Sequence, residues 1–587
     1  MLKNYRPVLD LNDPFVAISS DWTHVFKTGN QRSAIPVFCN KIAPCRHACP
    51  IGIDIPAAFQ RASDGDFEGA LRIFLQDNPL PGVCGRVCYH PCETQCNRSQ
   101  FDESLNIRSF ERFVADQARI DITQGLILPS KNKKIAVIGS GPAGLSAAYH
   151  LTRLGYHVTL IEARAELGGM LRYGIPPYRL PRSILEHEIQ RIMSLGIEIK
   201  KNATVGKDVD WKALKSFDAL FMSVGLQSGK RLWGANRREG SIITGIEFLA
   251  DPARWSLESD TLKTLVIGGG NTALDVARTL LRLRRGKGAD ITLVCPESGD
   301  QMPALPEAVL ETMEEGITVL NEWAPLELHP EKDGRLSLDL HRAAVRIDEE
   351  KGAVAILRVG KEIQTLRADR IIVAVGQELD TRNFPADLQL DRGLISVASG
   401  GKTSLPQVFA GGDAAGTKTF VADAIASGKK AALAISCYLE NQDFETEFRT
   451  HQIAHSQTFS FSHFLEKSKA DVSDLNTVVA FDQLNTLFFS KGSRNDPDKL
   501  GPETRPKTFD EVTQGLDPTK MAAESARCFK CGTCIDCENC LDFCPDMSII
   551  KDAQAGHYDF EADFCKGCGI CAVACPRKII EMREEAP

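Results

Sequence analysis

Cysteines are the residues of this chain most able to do chemistry, and they are not scattered. Seven lie between Cys39 and Cys96 and ten between Cys528 and Cys575, leaving only Cys295 and Cys437 outside. An odd total of 19 at tight spacing does not describe a disulfide framework. Thiolates at C-x-x-C and C-x-x-x-C spacing converge on a metal centre. The tail holds C-x-x-C-x-x-C-x-x-x-C-P twice, as Cys534, Cys537, Cys540, Cys544 and as Cys565, Cys568, Cys571, Cys575. In that pattern the fourth cysteine of each run ligates the other of two 4Fe–4S clusters. Cys534, Cys537, Cys540 and Cys575 are therefore expected on one, and Cys565, Cys568, Cys571 and Cys544 on the other. Cys528 and Cys531 continue the spacing upstream and are surplus, either free or an alternative register. The N-terminal seven are Cys39, Cys45, Cys49, Cys84, Cys88, Cys92 and Cys96. They exceed one cubane and fall short of two, and a zinc site is the alternative.

Two glycine-rich turns carry the second kind of chemistry. Gly139, Gly141 and Gly144 stand in GSGPAG, directly after the strand-like KKIAVI. The first glycine permits the tight turn, the second lets backbone approach a pyrophosphate, and the third lets helix pack on sheet. Glu162 ends the next strand, where a carboxylate can take a ribose hydroxyl. Two further stretches argue for FAD: LGGMLRYGIPPYRLP, with Gly169 and Arg172, and VFAGGDAAG, whose Asp413 precedes the helix start containing Ala422. The alternative for Asp413 is a turn aspartate in a glycine-rich loop. Gly268, Gly270 and Ala273 repeat the turn in GGGNTA, with Asn271 and Thr272 opening the helix. This second unit is expected to take a nicotinamide nucleotide. Its next strand, ITLV, leads to Glu297. A carboxylate there suits the 2′-hydroxyl of NADH and repels the 2′-phosphate of NADPH, although Arg284 and Arg285 in the preceding turn offer a cation. Gly376 either allows close approach to the nucleotide or is a strand-end turn.

The elements that position these residues follow from length and pattern. A chain of 587 residues holds about three to five domains. With 43% hydrophobic and 25% charged residues it reads as globular. Its formal net charge of −8 argues against nucleic acid or anionic membrane as partners. No apolar run approaches the ~20 residues of a spanning helix, and the start MLKNYRPVLDLNDPF lacks a signal-peptide core. Iron–sulfur assembly points to the reducing cytoplasm. GDFEGALRIFLQDNPLP, from Gly65, predicts one amphipathic helix closed by proline. The spacing predicts strand–turn–helix–strand units at 133–163 and from Leu262, and further strands at 217–225 and 368–376. The fold expected is multidomain α/β.

At this point the order of motifs is similar to that of the glutamate synthase small-subunit family over about residues 35–440. NPLPGVCGRVCYHPCETQC, GSGPAG, GGMLRYGIPPYRLP, GGGNTALD and AGGDAAG carry the resemblance. The tail RCFKCGTCIDCENC resembles the iron–sulfur flavoprotein of dissimilatory sulfur metabolism and the flavoprotein subunits serving 2-oxoacid:ferredoxin oxidoreductases. The resemblance implies a helical N-terminal double-cluster domain over 1–128 and an FAD domain over 129–255 and 376–440. Nested inside it is a Rossmann-like NAD(P)H domain over 256–375. A surface linker over 441–520 and a bacterial ferredoxin-like α+β domain over 521–587 complete the expected order. It implies FAD, a nicotinamide nucleotide and four 4Fe–4S clusters. In relatives with an incomplete cysteine set, an acidic or amide side chain follows an N-I-x-x-x-[E/Q] pattern, and NIRSFE places Glu111 there. By similarity Cys49, Cys88, Cys92 and Glu111 group together, as do Cys39, Cys45, Cys84 and Cys96; the alternative for Glu111 is a helix-surface glutamate. No glutamine amidotransferase module is present, so glutamate synthesis by this chain alone is not expected. The activity implied is electron transfer between NADH, or NADPH, and a protein partner. That partner is a ferredoxin, sulfite reductase, 2-oxoacid oxidoreductase or formate dehydrogenase, in a hetero-oligomer or homodimer. Electron bifurcation and a docking-subunit role are the alternatives.

Overall fold

The computed structural model describes Gly29, residues 32–118, Ile120, and residues 127–233, 241–255, 262–284, 290–348, 353–416, 418–465, 473–551 and 558–585. The first glycine turn leaves the central strand, Lys134–Ile138, of a five-stranded parallel sheet. His157–Ile161 and then Glu198–Lys200 flank it on one side, Ala219–Met222 and then Val408–Ala410 on the other. The strands KIAVI and ALFM read as apolar runs because both faces of a parallel sheet are covered. Helix Pro142–Arg153 starts at the turn, and helix Val421–Leu439 packs against it. A Cβ at Gly428 would lie 2.1 Å from the Ala143 carbonyl oxygen, and one at Gly144 would lie 1.9 Å from that of Gly139. Only glycine permits either approach, and together they set the N-terminus of Val421–Leu439 beside the turn.

Between Met222 and Val408 the chain builds a second five-stranded parallel sheet. Its order is Thr318–Leu320, Ile291–Val294, Thr264–Ile267, Arg370–Val373, Ile242–Thr244. An antiparallel meander of Trp323–Pro330, Leu336–Asp348 and Ala353–Ala368 packs Leu328, Leu338 and Leu340 onto Leu265, Ile267 and Val373. The expected boundary at residue 256 falls too late. Ile242–Thr244 already pairs with Arg370–Val373, and Ser228–Gly229 pairs antiparallel with Gln377–Glu378, so both crossings lie near residues 228 and 377. A three-residue strand is too short to show a period.

Residues 44–117 fold as short helices around Phe59, Phe74 and Phe110, with Phe59 and Phe110 stacked at 3.8 Å. Asp54, Asp66 and Asn106 cap three of them by accepting from Ala57, Gly69 and Ser109 N–H groups, each worth about 1 kcal/mol. The helix expected from Gly65 is Phe67–Asp77.

The expected surface linker, 441–520, is structural filling. Phe459 and Phe461 are fully buried. Lys499 and Arg505 pair with Glu311 and Glu314, each at 2.6 Å, on helix Pro306–Glu314 of the second unit. The aromatic side chains of this segment recur without a period, so nothing in the sequence announced their burial. Beneath them Lys429 is fully buried, donating to Asp77 Oδ1 at 2.9 Å and to the carbonyls of Ile51 and Phe459. Lys429→Met is expected to cost about 3–5 kcal/mol, because it strands a buried carboxylate. A lower urea midpoint at unchanged slope checks this.

The two ends of the chain interlock. Ala34–Phe38 pairs antiparallel with Ile580–Glu584, and Asn40–Ile42 runs parallel to Ser473–Val478. The tail adds the hairpin Ile549–Lys551 with Tyr558–Phe560 and the short helices Asn539–Asp542 and Ile570–Ala574. Among the described residues no helix is long and apolar enough to cross a membrane.

Candidate functional site

Both glycine turns open into one cavity of about 1020 Å³, at the top of the range for small-molecule sites. Gly139, Gly141, Glu162, Gly169 and Asp413 line it from the first unit, and Gly268, Gly270, Asn271, Thr272, Glu297 and Gly376 from the second. Four expected contacts are absent from the lining. Gly144 and Ala273 are spent on packing helix against sheet, and Ala422 is buried in the core. Arg172 is turned away, donating to the Leu167 carbonyl and to Glu186, both at 2.6 Å. The helix start meets the cavity through Phe420, Val421 and Ala424 instead.

The acidic side chains differ in how they are held. Glu162 accepts from the Ser140 N–H at 2.9 Å and the Arg164 N–H at 2.8 Å, which fixes it at the end of its strand. Asp413 has its carboxyl pushed up to about 6 by burial, with the charge of Asp423 adding. A raised carboxyl favours the folded state only while protonated, so its contribution is lost as pH rises through about 6. Asp413→Asn is therefore expected to raise the melting temperature of the flavin-free chain at pH 7.5 and to leave it unchanged below pH 4. Thermal scans across that window check the sign.

Glu297 fits a hydroxyl ligand. Its Oε2 is buried with no hydrogen-bond partner, and a Cβ at Gly269 would lie 2.6 Å from it. Burial pushes its carboxyl upward. A ribose hydroxyl donated to that oxygen would remove the cost of leaving it unsatisfied. Arg284 does not compete: it donates to the Leu262 carbonyl at 2.8 Å and to Thr264 Oγ1 at 3.1 Å. Arg285 lies outside the described residues.

Sequence reasoning missed the residues that join the two units. Arg179 lines the cavity and donates to Asp275 Oδ2 at 2.6 Å, while Tyr178 donates to Asp275 Oδ1 at 3.2 Å. The stretch GIPPYRLP thus reaches helix Asn271–Leu283 of the second unit. Val87, beside Cys88, also lines the cavity, and Tyr89 stacks on Phe420 at 4.3 Å.

The cysteines fall into groups by their position in the fold. Cys534, Cys537, Cys540 and Cys575 surround one small cavity, and Cys544, Cys565, Cys568 and Cys571 another. Cys49, Cys88 and Cys92 influence one another, and Glu111 faces Cys49 and Cys88. Glu111 is buried rather than on a helix surface, and burial pushes its carboxyl up to about 8. Cys84 neighbours Glu111 and Cys88, not Cys45 and Cys96 as expected. Cys39 donates its backbone N–H to the Ile579 carbonyl at 2.9 Å beside the tail strand, and its thiol donates to the Asn40 carbonyl at 3.5 Å. Among the described residues no three His, Cys, Asp or Glu side chains close on a single-ion site; a four-iron cube holds its ligands further apart.

The model of the pyridine nucleotide-disulphide oxidoreductase family matches residues 133–431, both glycine turns included. The chain belongs to that family. A second model, dihydropyrimidine dehydrogenase domain II, 4Fe-4S cluster, matches residues 27–122. The NADP(+)-dependent formate dehydrogenase subunit beta of Moorella thermoacetica is 34% identical, covering 83% of this chain and 70% of its own. The NADPH-Fe(3+) oxidoreductase subunit beta of Geobacter sulfurreducens is 31% identical, covering 83% and 75%. The NAD-dependent dihydropyrimidine dehydrogenase subunit PreT of Escherichia coli O157:H7 is 36% identical, covering 68% and 91%. This pyridine nucleotide-disulphide oxidoreductase is an electron-transport enzyme with an FAD/NAD(P)-binding unit and an N-terminal helical 4Fe–4S unit.

Proposed function

We propose that this chain carries electrons between NADH and a protein redox partner through FAD and 4Fe–4S clusters. One observation carries the reading: a single cavity is lined by both glycine turns and by Val87, whose neighbour Cys88 belongs to a cysteine group. Bound FAD supplies the exchange between two-electron hydride chemistry and single-electron transfer. Gly139 and Gly141 leave its pyrophosphate room at the N-terminus of Pro142–Arg153, where free N–H groups favour an anion. Glu162 takes the adjoining ribose, and Asp413 a hydroxyl on the flavin side. Gly268, Gly270, Asn271 and Thr272 do the same for the nicotinamide nucleotide, and Glu297 accepts from its 2′-hydroxyl. Gly376, at φ +115°, keeps side-chain bulk away from the cavity wall. Arg179 on Asp275 ties the two units together at the cavity wall.

Cys49, Cys88, Cys92 and Glu111 are proposed as one cluster site, and the two tail sets as two more in a ferredoxin-like module. The domain order proposed is that of the glutamate synthase small-subunit family, and the parallel sheet built between Met222 and Val408 supports a second unit nested in the first. Relatives named as subunits of formate dehydrogenase, NADPH–Fe(3+) oxidoreductase and dihydropyrimidine dehydrogenase support a protein partner. Formate dehydrogenase, sulfite reductase, a 2-oxoacid oxidoreductase and ferredoxin fit that chemistry, in the cytoplasm. An anaerobic titration with NADH and, separately, NADPH tests the reading, following flavin and cluster absorbance with iron and FAD counted. Bleaching of both by NADH is expected. Bleaching by NADPH alone would overturn the role of Glu297, and none by either would favour a docking subunit.

A further inference from the structure

Cys528 and Cys531, surplus to the tail motif, do not lie idle. The fold brings them to Cys45 and Cys96, with the Asn97 amide and the Cys531 sulfur in contact across 434 residues of chain. We propose that Cys45, Cys96, Cys528 and Cys531 are the four ligands of one iron–sulfur cluster, a site shared between the two ends of the chain. This deepens the electron-carrier reading above and rests on it.

The four thiols converge on one spot, each near the other three, with Cys45 and Cys531 in one packed cluster and Asn97, next to Cys96, on the Cys531 sulfur. Cys96, Cys528 and Cys531 are each only 8% exposed, and Cys45 packs with Ala43, Phe529 and Cys531 in one apolar cluster. Four soft ligands facing one another in a dry site suit an iron–sulfur cube, whose charge offsets that of its thiolates. Hydrogen bonds to the sulfurs are also in place. The Lys530 N–H donates to Cys528 Sγ at 3.4 Å and Asn97 Nδ2 to Cys531 Sγ at 3.6 Å. Such donors orient the ligands and tune the potential of a cluster.

The two halves of the site are locked together by buried polar contacts. Cys528 ends helix Pro518–Arg527. From that helix Arg527 donates to Asp102 at 3.2 Å and to the Glu103 carbonyl at 2.5 Å, and Glu524 accepts from the Asn106 N–H at 2.8 Å. On the other side of the loop the Lys41 N–H donates to the Gly532 carbonyl at 2.7 Å. Phe529, between the two cysteines, packs on Phe101 and Phe489 and lies under the Arg98 guanidinium at 4.7 Å. Cys84, expected with Cys45 and Cys96, lies instead beside Glu111 and Cys88, and Cys528 and Cys531 complete the Cys45–Cys96 half-set.

The location makes the site a bridge. Cys45 lies near Cys92 of the Cys49 group, and Arg577 lies near Cys528 and Cys531 and also near Cys537 and Cys575 of the tail. One electron supplied by NADH through FAD enters and leaves the site toward the partner, with no bond made or broken.

Iron stoichiometry and low-temperature EPR of the full chain, purified anaerobically with FAD bound, test the proposal. Cys96→Ser and Cys528→Ser should each lose about four iron atoms, and the double variant should lose no more than either. The same reduced-cluster signal should vanish from all three, while Cys39→Ser keeps it. Full iron in Cys528→Ser, or about eight atoms lost in the double variant, would overturn the shared site. Cys540→Ala serves as the separate control: no iron lost there would mean that the cluster-carrier reading itself has failed. If the serine variants lose FAD and do not fold, Cys96→Asp and Cys531→Asp retain a ligand. Both are then expected to shift one and the same EPR signal, and shifts in two different signals would refute the proposal.

Discussion

Replacing Pro296 and Glu297 together with arginine is expected to raise the ratio of kcat/KM for NADPH over NADH by about 100-fold, equivalent to ~3 kcal/mol. The reason is the unsatisfied Oε2 of Glu297, whose carboxyl otherwise meets the Cys295 thiol. Glu297 Oε2 is buried beside Gly269 with no donor, so a ribose 2′-hydroxyl there would satisfy it and a 2′-phosphate would meet a like charge. Like-charge contact at a binding surface costs several kcal/mol, and specificity is the difference between two such terms. Arginine at both positions removes the repulsion and supplies a planar donor fork suited to phosphate. Glu297→Gln removes only the repulsion and should move the ratio by about 10-fold. Arg284 cannot rescue the phosphate, since its guanidinium is bound to Leu262 and Thr264. Stopped-flow flavin reduction with each nucleotide reads the ratio directly. An unchanged ratio in the double variant would place the ribose away from residue 297.

What the sequence disclosed depended on whether a function is local in the chain. The glycine turns were legible because strand, turn and helix are consecutive, and Lys134–Ile138 with Pro142–Arg153 and Thr264–Ile267 with Asn271–Leu283 stand where the pattern put them. That Cys575 sits beside Cys534, Cys537 and Cys540, and Cys544 beside Cys565, Cys568 and Cys571, was legible for the same reason: both cavities lie inside one short stretch of chain. Arg172 was misread because its motif says that the loop meets the cavity, not which side chain turns inward; Arg179, seven residues on, does so. The partners of Cys45 and Cys96 were out of reach, since spacing carries no information about two ends of a chain that meet only after folding. Burial in 441–520 was hidden likewise. Phe459 and Phe461 fill space over Asp77 and Lys429, and neither helix nor strand period marks them.

Cys540→Ala should separate the two halves of the proposed electron path. Cys540 is buried among Ile549, Tyr558 and Ile580, and it shares its cavity with Cys534, Cys537 and Cys575. Losing one thiolate of such a set removes a ligand that no neighbour replaces, so about four iron atoms should go with it. The flavin half has no such dependence. The cavity is lined by residues between Val87 and Ala424, and none comes from the tail. NADH should therefore bleach the flavin of the variant as fast as that of the wild type. Reduction of a protein acceptor at the tail should fall at least about 100-fold, because an electron would have to cross the gap of the missing cluster; a factor of that size corresponds to ~3 kcal/mol in the barrier. The tail itself should stay docked, since strand Ala34–Phe38 holds Ile580–Glu584 and Lys41 pairs with Glu581 at 2.5 Å. Iron analysis, flavin bleaching and acceptor reduction on one preparation distinguish the outcomes. If bleaching is lost together with the iron, hydride entry and cluster exit are not separable, and the division of labour between cavity and tail is wrong. If acceptor reduction survives the loss of iron, electrons leave the chain before the tail, at the Cys49 group or at the site shared with Cys528.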